Sequence, residues 1–410
     1  MKMSQSGSNW QMAKVKNLAE YITVGFVGSM SSLFVEDGVP LLRGQNIHEY
    51  SLNLTNLKYI SQETHTKWKK SALMPGDVVI VRVGYPGTAC VIPNGIGELN
   101  AASLVIVRPD PKKLDANFLC YVINSPWGKA QVSGRLVGAA QQVFNTQTAA
   151  ELEISCPPLP TQQRIAGILS AYDELIENSQ KRIKILESMA RTLYREWFVH
   201  FRFPGHESIP LVPSALGDIP QGWEVKKLGQ IAENFDRLRK PLSKMQRVER
   251  QGDYPYYGAA KVFDYVNDFI FDGEYLLMAE DGSVITTERN PVLQLVNEKF
   301  WPNNHTHVLR GKMPVSTHFL YLGLSQVDIS PYITGSAQPK ITQENMNRIP
   351  FFCGHPIVHE EFNRLVEPMI WESQLRQSQI QNLRRTRDLL LPRLLSGQID
   401  VFRQDEEGAA

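Results

Sequence analysis

Between Lys226 and Arg250 the basic side chains are Lys226, Lys227, Arg237, Arg239, Lys240, Lys244, Arg247 and Arg250, opposed only by Glu233, Asp236 and Glu249. Such a stretch can bind phosphates locally although the whole chain carries a net charge of only +1. The same pattern equally describes a solvated surface. Smaller basic clusters occur at Lys67, Lys69 and Lys70 and at Arg384, Arg385 and Arg387. Catalytic chemistry has no comparable footing. Methyl transfer to a flipped adenine needs an Asn/Asp-Pro-Pro-aromatic loop to hold the base. The one Pro-Pro pair, in Cys156-Pro-Pro-Leu159, lacks both the amide or acid and the ring. There is no Gly-x-x-x-x-Gly-Lys-Ser/Thr phosphate loop, and Gly95-Ile-Gly97 lacks the third glycine of a dinucleotide turn. The cysteines Cys90, Cys120, Cys156 and Cys353 are far apart and form no CxxC pair, which fits reduced thiols in a cytosol. His305-Thr-His307 and His355/His359 suggest metal ligands, but a polar strand-edge loop and the intervening Pro356 make that the minority reading. The chain itself is therefore expected to bind no cofactor and no metal.

What positions these residues is a repeat. At 410 residues the chain suits two or three domains, with no signal peptide and no run of about 18 uncharged apolar residues for a membrane. Gly76-Asp-Val-Val-Ile-Val-Arg-Val-Gly84 has the shape of Gly273-Glu-Tyr-Leu-Leu-Met-Ala-Glu-Asp-Gly282. Phe118-Leu-Cys-Tyr121 is echoed by Phe319-Leu-Tyr-Leu322, and Gly138-Ala-Ala-Gln141 by Gly335-Ser-Ala-Gln338, with Asn145 and Thr342 following. The openings Val15-Lys-Asn-Leu18 and Val225-Lys-Lys-Leu228 also match. Echoes in the same order mean one unit used twice. Within it, β-branched and aromatic runs alternate with Gly, Pro and Asn, predicting a compact, mainly β domain. After Pro157-Pro-Leu-Pro160 the pattern changes to apolar residues at helical spacing, from Ile165 to Trp197. A weaker stripe follows Pro356. Two such helices bury their stripes best as an antiparallel coiled coil.

The chain resembles the specificity subunits of type I restriction–modification systems over nearly its whole length. The residues carrying the resemblance are Pro220-Gln-Gly-Trp-Glu-Val-Lys-Lys-Leu228, the paired Gly-x-Ala-Gln loops, Pro157-Pro-Leu-Pro-Thr-Gln-Gln-Arg-Ile165 and Leu391-Pro-Arg-Leu-Leu-Ser-Gly397. Two departures stand out: Trp10 lies farther from Leu18 than Trp223 from Leu228, and the second helix begins without the Gln pair. The resemblance implies an α+β chain with pseudo-twofold organisation. Target-recognition domains are expected at 1–158 and 214–355, spacer helices at 159–203 and 356–398, and an acidic tail at 399–410. It further implies a cytoplasmic, non-catalytic reader of double-stranded DNA. Each domain would read half of a bipartite, asymmetric target. The helices would dock two adenine methyltransferase subunits carrying S-adenosylmethionine, and restriction/translocase subunits would join for cleavage.

Amides pair with adenine, and Arg or Lys with guanine, in the major groove. The expected DNA contacts are thus Arg43, Gln45, Asn46, Arg82, Tyr85, Gln141 and Gln142 in the first domain. In the second they are Arg239, Lys240, Tyr257, Lys261, Asn303, His305, Gln338 and Lys340. Backbone contacts should account for half or more of them. Trp197 and Phe198 are unusually apolar for a helix end and are expected to dock a partner. The rival readings are a coiled-coil scaffold that binds only protein and a specificity subunit of a methylation-only complex.

Overall fold

Both halves of the repeat open on a strand that pairs with the strand closing the same half. The computed structural model describes residues 10–136, 143–335 and 338–402. It divides into two units, Met1–Ser179 with Gln379–Ala410, and Gln180–Ser378. In the first, Gln11–Lys14 runs antiparallel to Glu153–Cys156; in the second, Glu224–Lys227 runs antiparallel to Pro350–Cys353. One helical turn follows each opening strand, Val15–Leu18 and Leu228–Ile231. The Val15 N–H donates to Leu152 O at 2.9 Å and the Leu228 N–H to Ile349 O at 2.8 Å. Val15 therefore corresponds to Leu228, and the match of Val15 to Val225 expected from the sequence is corrected by three residues. The correction also removes the first departure: Trp10 and Trp223 each stand five residues before the turn.

In the first unit a four-stranded sheet has the order Ala89–Val91, Val78–Val81, Leu104–Pro109, Ala19–Val24. The β-branched run Val78-Val-Ile-Val81 is buried throughout, as a strand covered on both faces requires. A five-stranded sheet, including Val39–Leu42 and Leu99–Ala101, packs in the same unit. Six strands of the second unit form one sheet, in the order Ala232–Asn234, Thr306–Gly311, Phe271–Ala279, Leu293–Pro302, Gln251–Tyr257, Val262–Val266. The echoed Phe118 and Phe319 are fully buried on the helices Ala116–Asn124 and Thr317–Leu324. Asp115 and Ser316 cap those helices, accepting from the Phe118 N–H at 2.8 Å and the Phe319 N–H at 3.1 Å. Asn145 and Thr342 cap the short helices Thr146–Ala150 and Gln343–Asn347 in the same way.

The long helices are α1 (Leu159–Phe198) and α2 (Pro356–Leu395), 40 residues each. In the first unit Ile165 and Leu169 near the start of α1 share a core with Leu391, Leu394 and Leu395 near the end of α2. In the second, Tyr194, Trp197 and Phe198 at the end of α1 share one with Phe362 and Val366 near the start of α2. Within each unit the two segments are thus antiparallel. Asp173 of α1 accepts from the Tyr121 hydroxyl at 2.5 Å and from Arg387 of α2, so Arg387 of the basic C-terminal cluster is spent inside the fold. Gly323 allows the helix Thr317–Leu324 to approach α1: a Cβ there would lie 2.6 Å from the Tyr194 hydroxyl. Trp197 and Phe198, expected to dock a partner, are only 5% and 1% exposed and pack on Phe362, Phe319 and Trp223. They are core residues of the second unit, and that expectation is corrected. Among the described residues no helix is long and apolar enough to cross a membrane.

The missing Gln pair of the second helix has a structural counterpart. Gln162 lies six residues after Cys156, and His359 six after Cys353. Gln162 is buried and fully used: its Nε2 donates to Lys113 O and Pro157 O, and its Oε1 accepts from the Asp115 N–H. His359 is buried between Phe198 and Phe319 with neither ring nitrogen hydrogen-bonded. Burial, with a smaller contribution from the charge of Lys226, lowers its pKa to about 4. The unfolded ring binds a proton near pH 6.5 that the folded one refuses. Stability is therefore full above that pH and is lost as pH falls from 6.5 through 4, by about 3 kcal/mol in all. Denaturant melts between pH 7 and 4 should show His359→Gln losing less stability than the parent over that window. Parallel curves would contradict this account.

Candidate nucleic-acid interface

In the second unit Ala279 pairs with Thr306, so Glu280-Asp281 and Asn303–His305 lie just past one end of the sheet. The Ile341 N–H donates to Glu280 O at 2.9 Å, which brings Lys340 to the same end. The turn preceding strand Val262–Val266 arrives there too, its Gly258 N–H donating to Lys261 O at 2.9 Å while the Asn303 N–H donates to Tyr257 O. The structure therefore collects Arg239, Lys240, Lys261, Asn303, His305 and Lys340 around one sheet end, although they are spread widely along the chain.

Their roles differ. Arg239 is 14% exposed and committed inward: Nε donates to Asp236 O at 3.0 Å, and Nη1 to Glu280 Oε2 at 2.8 Å and Thr306 O at 2.7 Å. Tyr257 is buried, and its hydroxyl donates to Glu298 Oε1 at 2.5 Å. Neither side chain is free to meet a base, which corrects both expectations. Lys240, Lys261 and Gln338 are exposed. His305 Nδ1 lies 2.6 Å from Asp281 Oδ1, and Asn303 Oδ1 accepts from the His305 N–H at 2.9 Å. Lys340 Nζ lies 3.0 Å from Glu280 Oε1.

Beneath this surface lie Asp236, Glu280 and His307, of which the sequence reading weighs His307 as a metal ligand and Asp236 only as an opposing charge. Asp236 accepts from the Val308 N–H at 2.9 Å and lies 2.6 Å from His307 Nδ1. Burial alone would raise the Asp236 pKa, but His307, the Val308 N–H and Asn234 outweigh it and hold the carboxyl below its usual range. Glu280 is likewise pushed up by burial and brought lower by Arg239, Lys340 and His307. Asp236, Glu280 and His307 offer ligand atoms within 4.8 Å of one another. The guanidinium of Arg239 already bridges the two carboxylates, and the second ring nitrogen of His307 faces Ile341 O at 3.0 Å. Arg239 supplies the positive charge that a metal would bring.

In the first unit Val81 pairs with Leu104, and Arg82 follows at the sheet end. The Phe144 N–H donates to Arg82 O at 3.0 Å. Tyr85, on the hairpin leading to Ala89–Val91, is 84% exposed. The turn Gly44–Asn46 lies against Val81, since a Cβ on Gly44 would be 3.5 Å from Val81 Cγ1. Gln45 is exposed on that turn. Arg43 is half-buried, donating to Asn56 O at 3.3 Å. Asn46 is 1% exposed and donates to Asn53 O at 3.0 Å while accepting from the Arg43 N–H. It builds the turn instead of reading from it, a further correction. Gln141 and Gln142 lie outside the described residues.

The two sites occupy the same place on the repeat. The bond from Phe144 to Arg82 corresponds to that from Ile341 to Glu280, and in each unit the capping residue, Asn145 or Thr342, follows at once. Arg82 in one unit thus stands where Glu280 stands in the other: a shared scaffold carries opposite charge at its centre. The echo of Gly76–Gly84 with Gly273–Gly282 contained this signal, read off at the strand ends.

Comparison with known proteins adds family. The profile described as "Type I restriction modification DNA specificity domain" matches residues 8–188 and 220–352. The chain is similar to a putative type I restriction enzyme specificity subunit of Haemophilus influenzae, 38% identical over 137 residues, 33% of this chain and 34% of that one. It is also similar to the MjaIX specificity subunit of Methanocaldococcus jannaschii, 28% identical over 275 residues, 62% of each. The matches thus span about a third of the first relative's length and under two thirds of the second's. A crystal structure of a type I restriction–modification S subunit from M. genitalium shares the fold, with a TM-score of 0.67 at 16% identity over 96% of this chain and 98% of that one.

Proposed function

Because the chain belongs to the type I restriction modification DNA specificity family, we propose that it is the DNA-reading subunit of such a complex, each unit reading one half of a bipartite, asymmetric target. The observation that carries this reading is the paired site, with Arg82 and Glu280 at corresponding positions. A duplicated scaffold with unlike side chains at the same sheet end suits two different half-sites on double-stranded DNA. Gln45, Arg82 and Tyr85 in one unit, and Lys240, Lys261, Asn303, His305, Gln338 and Lys340 in the other, are the side chains proposed to meet DNA. Methyl transfer would belong to two methyltransferase subunits, which hold S-adenosylmethionine and dock on the helices. With Trp197 and Phe198 buried, that docking would use exposed helical residues such as Ile185 and Trp371. Restriction/translocase subunits would complete the complex in the cytoplasm.

The test is a genome-wide map of methylated adenines with and without this gene. One bipartite, asymmetric motif should lose methylation when the gene is removed. An unchanged map would favour a scaffold that binds only protein.

A further inference from the structure

Resting on that reading, we propose that Lys340 reads a guanine in the half-site of the second unit and that Glu280 is the positioning residue that aims it. The cations at this sheet end are not equivalent. Arg239 is consumed by the Glu280 carboxylate and by the backbone carbonyls of Asp236, Asn304 and Thr306. Lys240 and Lys261 are exposed with no acidic partner among the described residues, as suits point charges for phosphates. Lys340 alone is both fixed and open. Its main chain is tied in both directions to Thr334, each N–H donating to the other's carbonyl at 2.8 Å, and it bridges to Asp281. Its ammonium lies 3.0 Å from Glu280 Oε1, yet the side chain is 45% exposed.

An ammonium has three N–H donors. One is spent on Glu280, leaving two that face solvent. Guanine presents two adjacent acceptors, N7 and O6, in the major groove, whereas adenine sets an N6 donor beside its N7. Two free donors therefore suit guanine and clash with adenine. A phosphate would also accept them, but the carboxylate of Glu280 stands beside the ammonium and repels a second anion. Holding the lysine in place before DNA arrives lowers the ordering cost of the contact.

The experiment uses the assembled complex and a duplex carrying the mapped target. Each guanine of the second unit's half-site is replaced, one at a time, by 7-deazaguanine, which lacks the N7 acceptor. At one position the parent should lose about tenfold in affinity. Lys340→Ala should be about tenfold weaker on the natural target and indifferent to the replacement at that position. Glu280→Gln should lower the preference for that guanine while raising affinity for unrelated duplex, because a negative charge has gone. A purely structural Glu280 would lower both. The proposal is overturned if Lys340→Ala weakens every duplex alike and keeps its sensitivity at every guanine, which is phosphate behaviour. It is also overturned if the half-site contains no guanine. In either case the second unit still reads its half-site, so the wider reading fails only if no half-site depends on that unit.

Discussion

Truncating Phe198 to Ala is expected to destabilise the second unit by about 3–5 kcal/mol. The ring is 1% exposed and lies 4.7 Å from Phe319, 5.0 Å from Phe362, 5.1 Å from His359, 5.4 Å from Tyr194 and 5.5 Å from Trp223, centroid to centroid. Those neighbours come from both long helices, from the helix Thr317–Leu324 and from the residue preceding the opening strand. A rigid aromatic cluster of this kind collapses poorly around a void, so the cavity cost adds to the lost transfer energy. Against a typical domain stability of about 5–15 kcal/mol the loss takes a large part of the margin. Val199, the next residue, is exposed, and Val199→Ala should change stability by no more than about 0.5 kcal/mol. Urea denaturation of the isolated chain distinguishes the roles. A loss below 1 kcal/mol for Phe198→Ala would return that residue to the surface role its helix-end position suggests.

The duplication and the long helices were legible in the sequence because both rest on signals that survive at short range. Phe118 and Phe319 recur because each is a fully buried ring at the third position after a helix cap, its N–H donating to that cap; Asn145 and Thr342 recur because each is itself a cap. The helical stripes from Ile165 and from Phe362 are periodic; the structure buries their residues near the helix ends within each unit, while Leu175, Met189 and Leu365 stay exposed. The opening register was not legible. Val-Lys-Asn-Leu and Val-Lys-Lys-Leu look alike, yet one is a helical turn while the other runs through a strand and ends where its turn begins. The strand pairings and the hydrogen bonds of Val15 and Leu228 reveal the offset.

Side-chain depth was the other hidden quantity. Exposed loop residues such as Gln45, Tyr85, Lys261 and His305 are where their surroundings of Gly, Asn and Pro suggest. Arg239 carries the same chemistry on paper, but its partners Glu280 and Thr306 lie 41 and 67 residues away in the chain. Asn46 is absorbed by its own turn, and Tyr257 by Glu298. A search for amides and cations also passes over the carboxylates that hold the cations, and so Glu280, and the role of Asp236 beside it, became visible only once the strand ends were brought together.

The claim that each unit reads its own half-site is tested most directly by exchange. Residues 214–355 end between the strand Pro350–Cys353 and the start of α2 at Pro356, so replacing them by the matching segment of a relative leaves both long helices native. The exchanged segment contains the whole six-stranded sheet and every second-unit side chain proposed to meet DNA. Mapping methylated adenines in cells carrying the exchanged chain should show a motif with one half replaced entirely and the other half unchanged. A motif in which both halves change together, or in which neither changes, would contradict the account.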